Sequence, residues 1–151
     1  MKLAEALMER ADLQKRLEQL RGRLSSNAKV QEGETPAEDP AALLGELDQL
    51  VSQLEARIVR INRTNAETAC GEGETLSALL ARRDCLRMKV EMLRNFLSDA
   101  SATVMRGTKS EVVVRSTVSV SALQKDVDAL SQQLRALDMR IQSLNWTVEL
   151  L

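Results

Sequence analysis

The chain has no histidine and no tyrosine, and only one phenylalanine (Phe96) and one tryptophan (Trp146) among its 151 residues. Without histidine the usual general base is missing, and with it the common nucleophile triads and the Glu-x-x-His di-iron helix motif. Two cysteines, Cys70 and Cys85, make neither a CxxC pair nor a disulfide framework, so both are expected to be free thiols. No Walker loop, Gly-x-Gly-x-x-Gly or zinc-ligand spacing occurs, and no spacing singles out a carboxylate-only metal site among Glu5, Glu9 and Asp84. The chain is therefore expected not to be an enzyme and to use no cofactor and no metal.

Other classes fall to further shortages. No apolar run approaches the ~18 residues of a membrane span, and the first residues alternate charge where a signal peptide would be apolar. That predicts a cytoplasmic protein with no membrane partner. The formal net charge is −1, whereas nucleic-acid binding needs a cationic surplus to displace counterions. Arginine still outnumbers lysine by 15 to 6, which leaves local bidentate contacts available.

What remains is Leu, Ala, Val, Ile and Met at helical spacing. Four rows of apolar residues keep a 3-4 rhythm. The first runs through Leu3, Ala6, Leu13, Leu17, Leu20 and Leu24, broken by Arg10. The second runs through Leu43, Leu47, Leu50, Leu54, Ile61 and Thr64, with Arg57 in one slot, and the third from Leu76 and Leu79 through Leu86, Val90, Leu93 and Leu97 to Val104, with Arg83 interposed. The fourth is unbroken from Leu123 to Val148. Such heptads give each helix one apolar seam. Asp39 before Pro40 predicts a capped helix start, as do Ser119 and a Ser121–Gln124 capping box in the second half, and Thr75 before the third helix.

The chain also repeats itself. Residues 42–65 laid over 122–145 give ten identities in 24 positions, among them Asp48/Asp128, Leu50/Leu130, Arg60/Arg140, Ile61/Ile141 and Asn65/Asn145. Composition alone would give roughly three. The same eighty-residue offset sets Leu13 and Leu17 on Leu93 and Leu97, and Arg10 on Val90. The expected architecture is mainly α. It is an antiparallel four-helix bundle or coiled coil, a single domain over 1–151 built from two duplicated helical hairpins, about 1–68 and 75–151, linked by 69–74. Between the helices of each half a short β-strand is expected, at Ala28–Glu32 and Glu111–Val118, the latter carrying Val112, Val113, Val114 and Val118. A lone strand leaves its hydrogen bonds unmet, so the two are expected to pair at one end, within the chain or between chains.

Antiparallel packing would gather polar residues at the end nearest the link: Glu9, Arg10, Arg60, Asn62, Asn65, Arg83, Asp84, Arg140 and Asn145. Arg10 and Arg83 sit in seam positions, where an unpaired charge is costly. Two readings stand: a layer of ion pairs that fixes helix register, or a pocket for a small anion or metabolite. Trp146 is expected to close the end of a core or meet a neighbouring subunit.

The stretches Leu3–Leu24, NAKVQEGE at Asn27–Glu34, INRTN at Ile61–Asn65, LARRD at Leu80–Asp84 and Ala122–Trp146 together resemble a small bacterial family without an assigned activity, often labelled septicolysin. The label implies a cytolysin. The sequence supplies no secretion signal, no membrane-spanning β-hairpin and no Trp-rich contact segment for one, so the resemblance brings no catalytic residues. The function expected is a non-catalytic interaction or scaffold module that forms a homo-oligomer. Its alternatives are binding of a small anion or metabolite at the Arg/Asn end and a prefoldin-like chaperone.

Overall fold

The structure is a computed structural model that describes residues 1–103 and 113–151. Four α-helices carry it: α1 (Leu3–Ser26), α2 (Pro40–Glu67), α3 (Leu76–Ser101) and α4 (Val120–Thr147). They form two compact units, one of residues 1–75 with 144–151 and one of residues 76–143. The first holds the α1–α2 hairpin; the second holds α3 with most of α4.

In the first unit the helices run antiparallel, Arg57 of α2 pairing with Glu9 of α1 while Arg23 pairs with Glu46 at the other end. Between them Leu13, Leu20, Leu43 and Leu50 form the buried cluster, flanked by Leu17, Leu24, Leu47 and Leu54. These are the seam residues of both helices, and the core is one row thick per helix. In the second unit α3 and α4 are likewise antiparallel, since Arg94 reaches Ser131 and Arg87 reaches Asp138. Leu76, Leu79, Val90, Leu97, Val127 and Ile141 are buried there.

The helix ends follow local chemistry. Ala41 N–H donates to the Asp39 carboxylate at 3.1 Å, capping α2 as expected, and Ser119 accepts from Ala122 N–H at 3.4 Å before α4. The Ser121–Gln124 box does not form; Gln124 instead donates to Asp128 at 2.8 Å. Gly71 and Gly73 adopt positive φ in the link, as the left-handed turn there demands.

The two expected strands are corrected: among the described residues there is no strand, only isolated bridges at Lys2↔Glu149 and Ala69↔Thr75. Residues 111–112 lie outside the described residues, as does Val104 of the third seam. At 28–32 the chain has a better local option than a ladder. Asn27 is buried; its amide donates to Arg23 O at 2.8 Å and its oxygen accepts from Glu38 N–H at 2.9 Å. Gln31 and Glu34 close a turn with Gly33 at φ 88°. At 113–118 Ser116 bonds locally to Val118, and Val113 stays 73% exposed. β-branched residues favour strands only where a partner surface packs them, and no described residue supplies one.

A second correction concerns register. α2 and α4 are both 28 residues long, with starts at Pro40 and Val120 that keep the eighty-residue offset. α1 and α3 begin at Leu3 and Leu76, 73 apart. That shift of one heptad puts Leu3 on Leu76, Ala6 on Leu79 and Arg10 on Arg83, and the four apolar residues are fully buried. Heptad phase cannot distinguish offsets that differ by seven, so the sequence placed Arg10 on Val90. The bridges repeat the pattern too. Ala69 and Glu149 are eighty apart, and each pairs with the residue just before a helix, Thr75 or Lys2.

Leu50 is 1% exposed in the α1–α2 core, so Leu50→Ala is expected to lower the unfolding free energy by about 2–5 kcal/mol. Met139→Ala, at a side chain 73% exposed, is expected to change it by less than about 0.5 kcal/mol. Urea titrations followed by circular dichroism compare the two.

Candidate functional site: a charged groove on the first hairpin

Residues 9, 12–13 and 16 share one face of α1, and 53, 56–57 and 60 share one face of α2, by helical spacing alone. Antiparallel packing sets these faces side by side. They line an open groove of about 640 Å³, to which Met8, Leu13 and Ala56 contribute apolar surface and Glu9, Asp12, Arg16, Gln53, Arg57 and Arg60 polar groups.

The charges of the groove are not equivalent. Arg57, 20% exposed, is satisfied by Glu9, and its guanidinium also meets Met1 Sδ at 3.2 Å. Arg60 Nε donates to a main-chain oxygen of Leu151 at 2.8 Å. The Leu151 N–H in turn donates to Thr64 Oγ1 at 3.0 Å, and that hydroxyl donates to Arg60 O at 2.8 Å. This explains why Thr64, a polar residue in the seam, is fully buried: its hydroxyl has both a donor and an acceptor partner. Arg16 is exposed and makes no ion pair with any described residue. A planar guanidinium at the groove, beside a neutralised Arg–Glu pair, can receive one carboxylate or phosphate bidentately.

The nine residues expected to form one polar cluster divide between the two units. Glu9, Arg10, Arg60, Asn62, Asn65 and Asn145 belong to the first, and Arg83, Asp84 and Arg140 to the second. Only Glu9 and Arg60 line the groove. Arg10 is half-buried and has no ion-pair partner among the described residues, so it is not sealed by a carboxylate. Arg83 is paired: Nη2 lies 2.8 Å from Asp84 Oδ1 and Nε 3.9 Å from Asp138. Asn65 and Asn145 are half-buried, and Asn62 and Arg140 are exposed. Arg57, Arg16 and Gln53 were not picked out as site residues. The signal for Arg57 was present, since a charge in a seam slot of α2 must face α1 and find its partner there. Trp146 is 57% exposed and closes no core. Among the described residues no group of His, Cys, Asp and Glu could hold a metal ion, and no helix is long and apolar enough to cross a membrane.

At the opposite end of the hairpin Arg23 bridges two carboxylates, Glu38 at 2.7 Å and Glu46 at 3.1 Å. The hydrogen bond from Arg23 holds the Glu38 carboxyl below its ordinary value of 4.5, against the opposing effect of desolvation, and raises the Arg23 guanidinium still further above neutrality. Glu149 is lowered as well, first by its hydrogen bond from Lys2, 2.6 Å away, then by that from the Met1 amino group at 3.0 Å.

Each unit is thus a pair of antiparallel helices that meet along their buried seams. The chain belongs to a family of unknown function, DUF6847, whose profile matches residues 10–150. It is similar to the crystal structure of a functionally unknown conserved protein from Corynebacterium diphtheriae. The two are 38% identical with a TM-score of 0.93, over 100% of this chain and 99% of that one. No curated protein matches the chain. Neither finding supports the septicolysin label.

The Arg23–Glu38 pair makes a pH prediction. A carboxyl whose folded value is depressed stabilises the fold above its unfolded value of 4.5 and loses that contribution as pH falls through the folded value. Wild-type protein is therefore expected to lose thermal stability below about pH 4.5 more steeply than Glu38→Gln, and melting curves recorded from pH 7 down to pH 3 check it.

Proposed function

We propose that this protein is a non-catalytic helical module of the cytoplasm that works by associating with further copies of itself and so presents a multivalent scaffold. One observation carries this reading. Met88, Met92 and Phe96 lie along the exposed side of α3, at 61%, 66% and 45% exposure. They recur at steps of four residues on a helix whose buried seam is elsewhere. Scattered apolar residues on a surface need no explanation, but a continuous row of large ones marks a surface meant to be covered. Methionine suits such a surface because its flexible thioether adapts to the facing side chain.

A second reading is binding of a small anion in the α1–α2 groove, favoured by Arg16 having no ion-pair partner among the described residues beside the Arg57–Glu9 pair. This reading does not exclude the first, because the groove and the α3 row lie on different helices.

For the leading reading, size-exclusion chromatography with light scattering across a hundredfold range of concentration is expected to show a discrete oligomer that dissociates on dilution. A monomer at every concentration would refute it. For the second, calorimetric titration with inorganic phosphate is expected to give saturable binding to wild type and at least about tenfold weaker binding to Arg16→Ala, the scale of one lost charge-assisted contact. Equal titration curves would rule out Arg16 as an anion contact.

A further inference from the structure

We infer that α3 is the contact surface between two copies of this chain and that the copies meet with their α3 helices parallel. The inference rests on the self-association reading above and deepens it.

The seam of α3 that faces its own unit runs Leu76, Leu79, Arg83, Leu86, Val90, Leu93, Leu97. A second row, Ala81, Cys85, Met88, Met92, Asn95, runs along the opposite face with the same 4-3 alternation, and every member is exposed. A helix that alternates four and three on its outer face has the pattern that a second helix packs against. The corresponding outer row of α1 runs Met8, Asp12, Lys15, Gln19 and Gly22, and its first member is the only large apolar one.

The borders of the row decide both the occupant and its direction. Asp84 and Glu91 line one border; Arg82 and Lys89 line the other, and all four are exposed. In an antiparallel pair each border would face its own copy, acid to acid and base to base. In a parallel pair each border faces the opposite border of the other copy, five residues further along, so that Asp84 meets Lys89 of the second copy twice by symmetry while Glu91 falls beside Phe96. Asp84 is suited to this: both of its bonds to Arg83, at 2.8 and 2.9 Å, use Oδ1. Asn95 adds a register device. In a parallel pair the two Asn95 amides fall in the same layer and can bond to each other, which out-of-register packing would prevent. Charge complementarity therefore selects a second copy of this chain over an unrelated apolar partner.

The test uses the full chain in four variants. Met92→Glu puts a charge in the centre of the row at a side chain 66% exposed in the single copy, so the fold is retained while the dimer dissociation constant rises at least about tenfold. Asp84→Lys and Lys89→Asp are each expected to weaken the dimer about threefold or more, and the double variant to recover to within about twofold of wild type. In a Cys70→Ser background, mild oxidation with diamide should link the copies through Cys85, because a parallel pair places the two thiols in one layer.

Rescue in the double variant together with the Cys85 link would support the inference. A dimer that survives Met92→Glu and yields no Cys85 link would overturn the α3 contact while leaving self-association intact. A monomer at every concentration would overturn both, and a monomer that suppresses aggregation of unfolded chains through the same row would replace them with client capture.

Discussion

A core made of one apolar row per helix is the constraint on which the rest of this structure depends. With one phenylalanine, one tryptophan and no tyrosine, the core is built from aliphatic side chains, and burial follows the strip where two seams meet. In the α1–α2 hairpin that strip is four buried leucines and four half-buried ones. The ends of so narrow a strip are held by polar contacts. Arg57–Glu9 secures one end of the hairpin, and Arg23 with Glu38 and Glu46 secures the other. Asn27 ties the last turn of α1 to the chain entering α2.

The same economy explains why so many large apolar side chains remain outside. A helix that spends one row on its hairpin partner has its opposite face left over. On α1 that face turns polar after Met8, with Asp12, Lys15 and Gln19, whereas on α3 Cys85, Met88 and Met92 follow one another. The difference is the main functional signal the chain carries. The groove between α1 and α2 arises from the same thin packing. Leu13 and Ala56 line it together with Arg16, Arg57 and Arg60, so apolar surface and cationic groups share one groove.

Much of the fold was legible because a 3-4 rhythm and its caps are local properties of the sequence. All four helices were readable in this way, and the Asp39–Pro40 start of α2 fell in its expected place. The strands were not, because strand formation depends on a partner that local sequence does not name, and Asn27 and Gly33 gave residues 27–34 another way to satisfy their backbone. The repeat offset that relates α1 to α3 is not legible because heptad phase is unchanged by a shift of seven; the helix starts at Leu3 and Leu76 fix it. The site was legible in part. Of the nine residues expected at the polar end, Glu9 and Arg60 line the groove, their helix faces being readable from spacing. The partner of Glu9 proved to be Arg57, whose seam position had been read as an interruption.

Hydrogen–deuterium exchange measured at several protein concentrations tests the central claim most directly, because amides under an association surface exchange more slowly as the bound fraction rises. Peptides covering residues 81–96 of α3 are expected to gain protection with concentration while those of α1 and α2 do not. Exchange in α3 that is independent of concentration, while the protein associates through other helices, would contradict it.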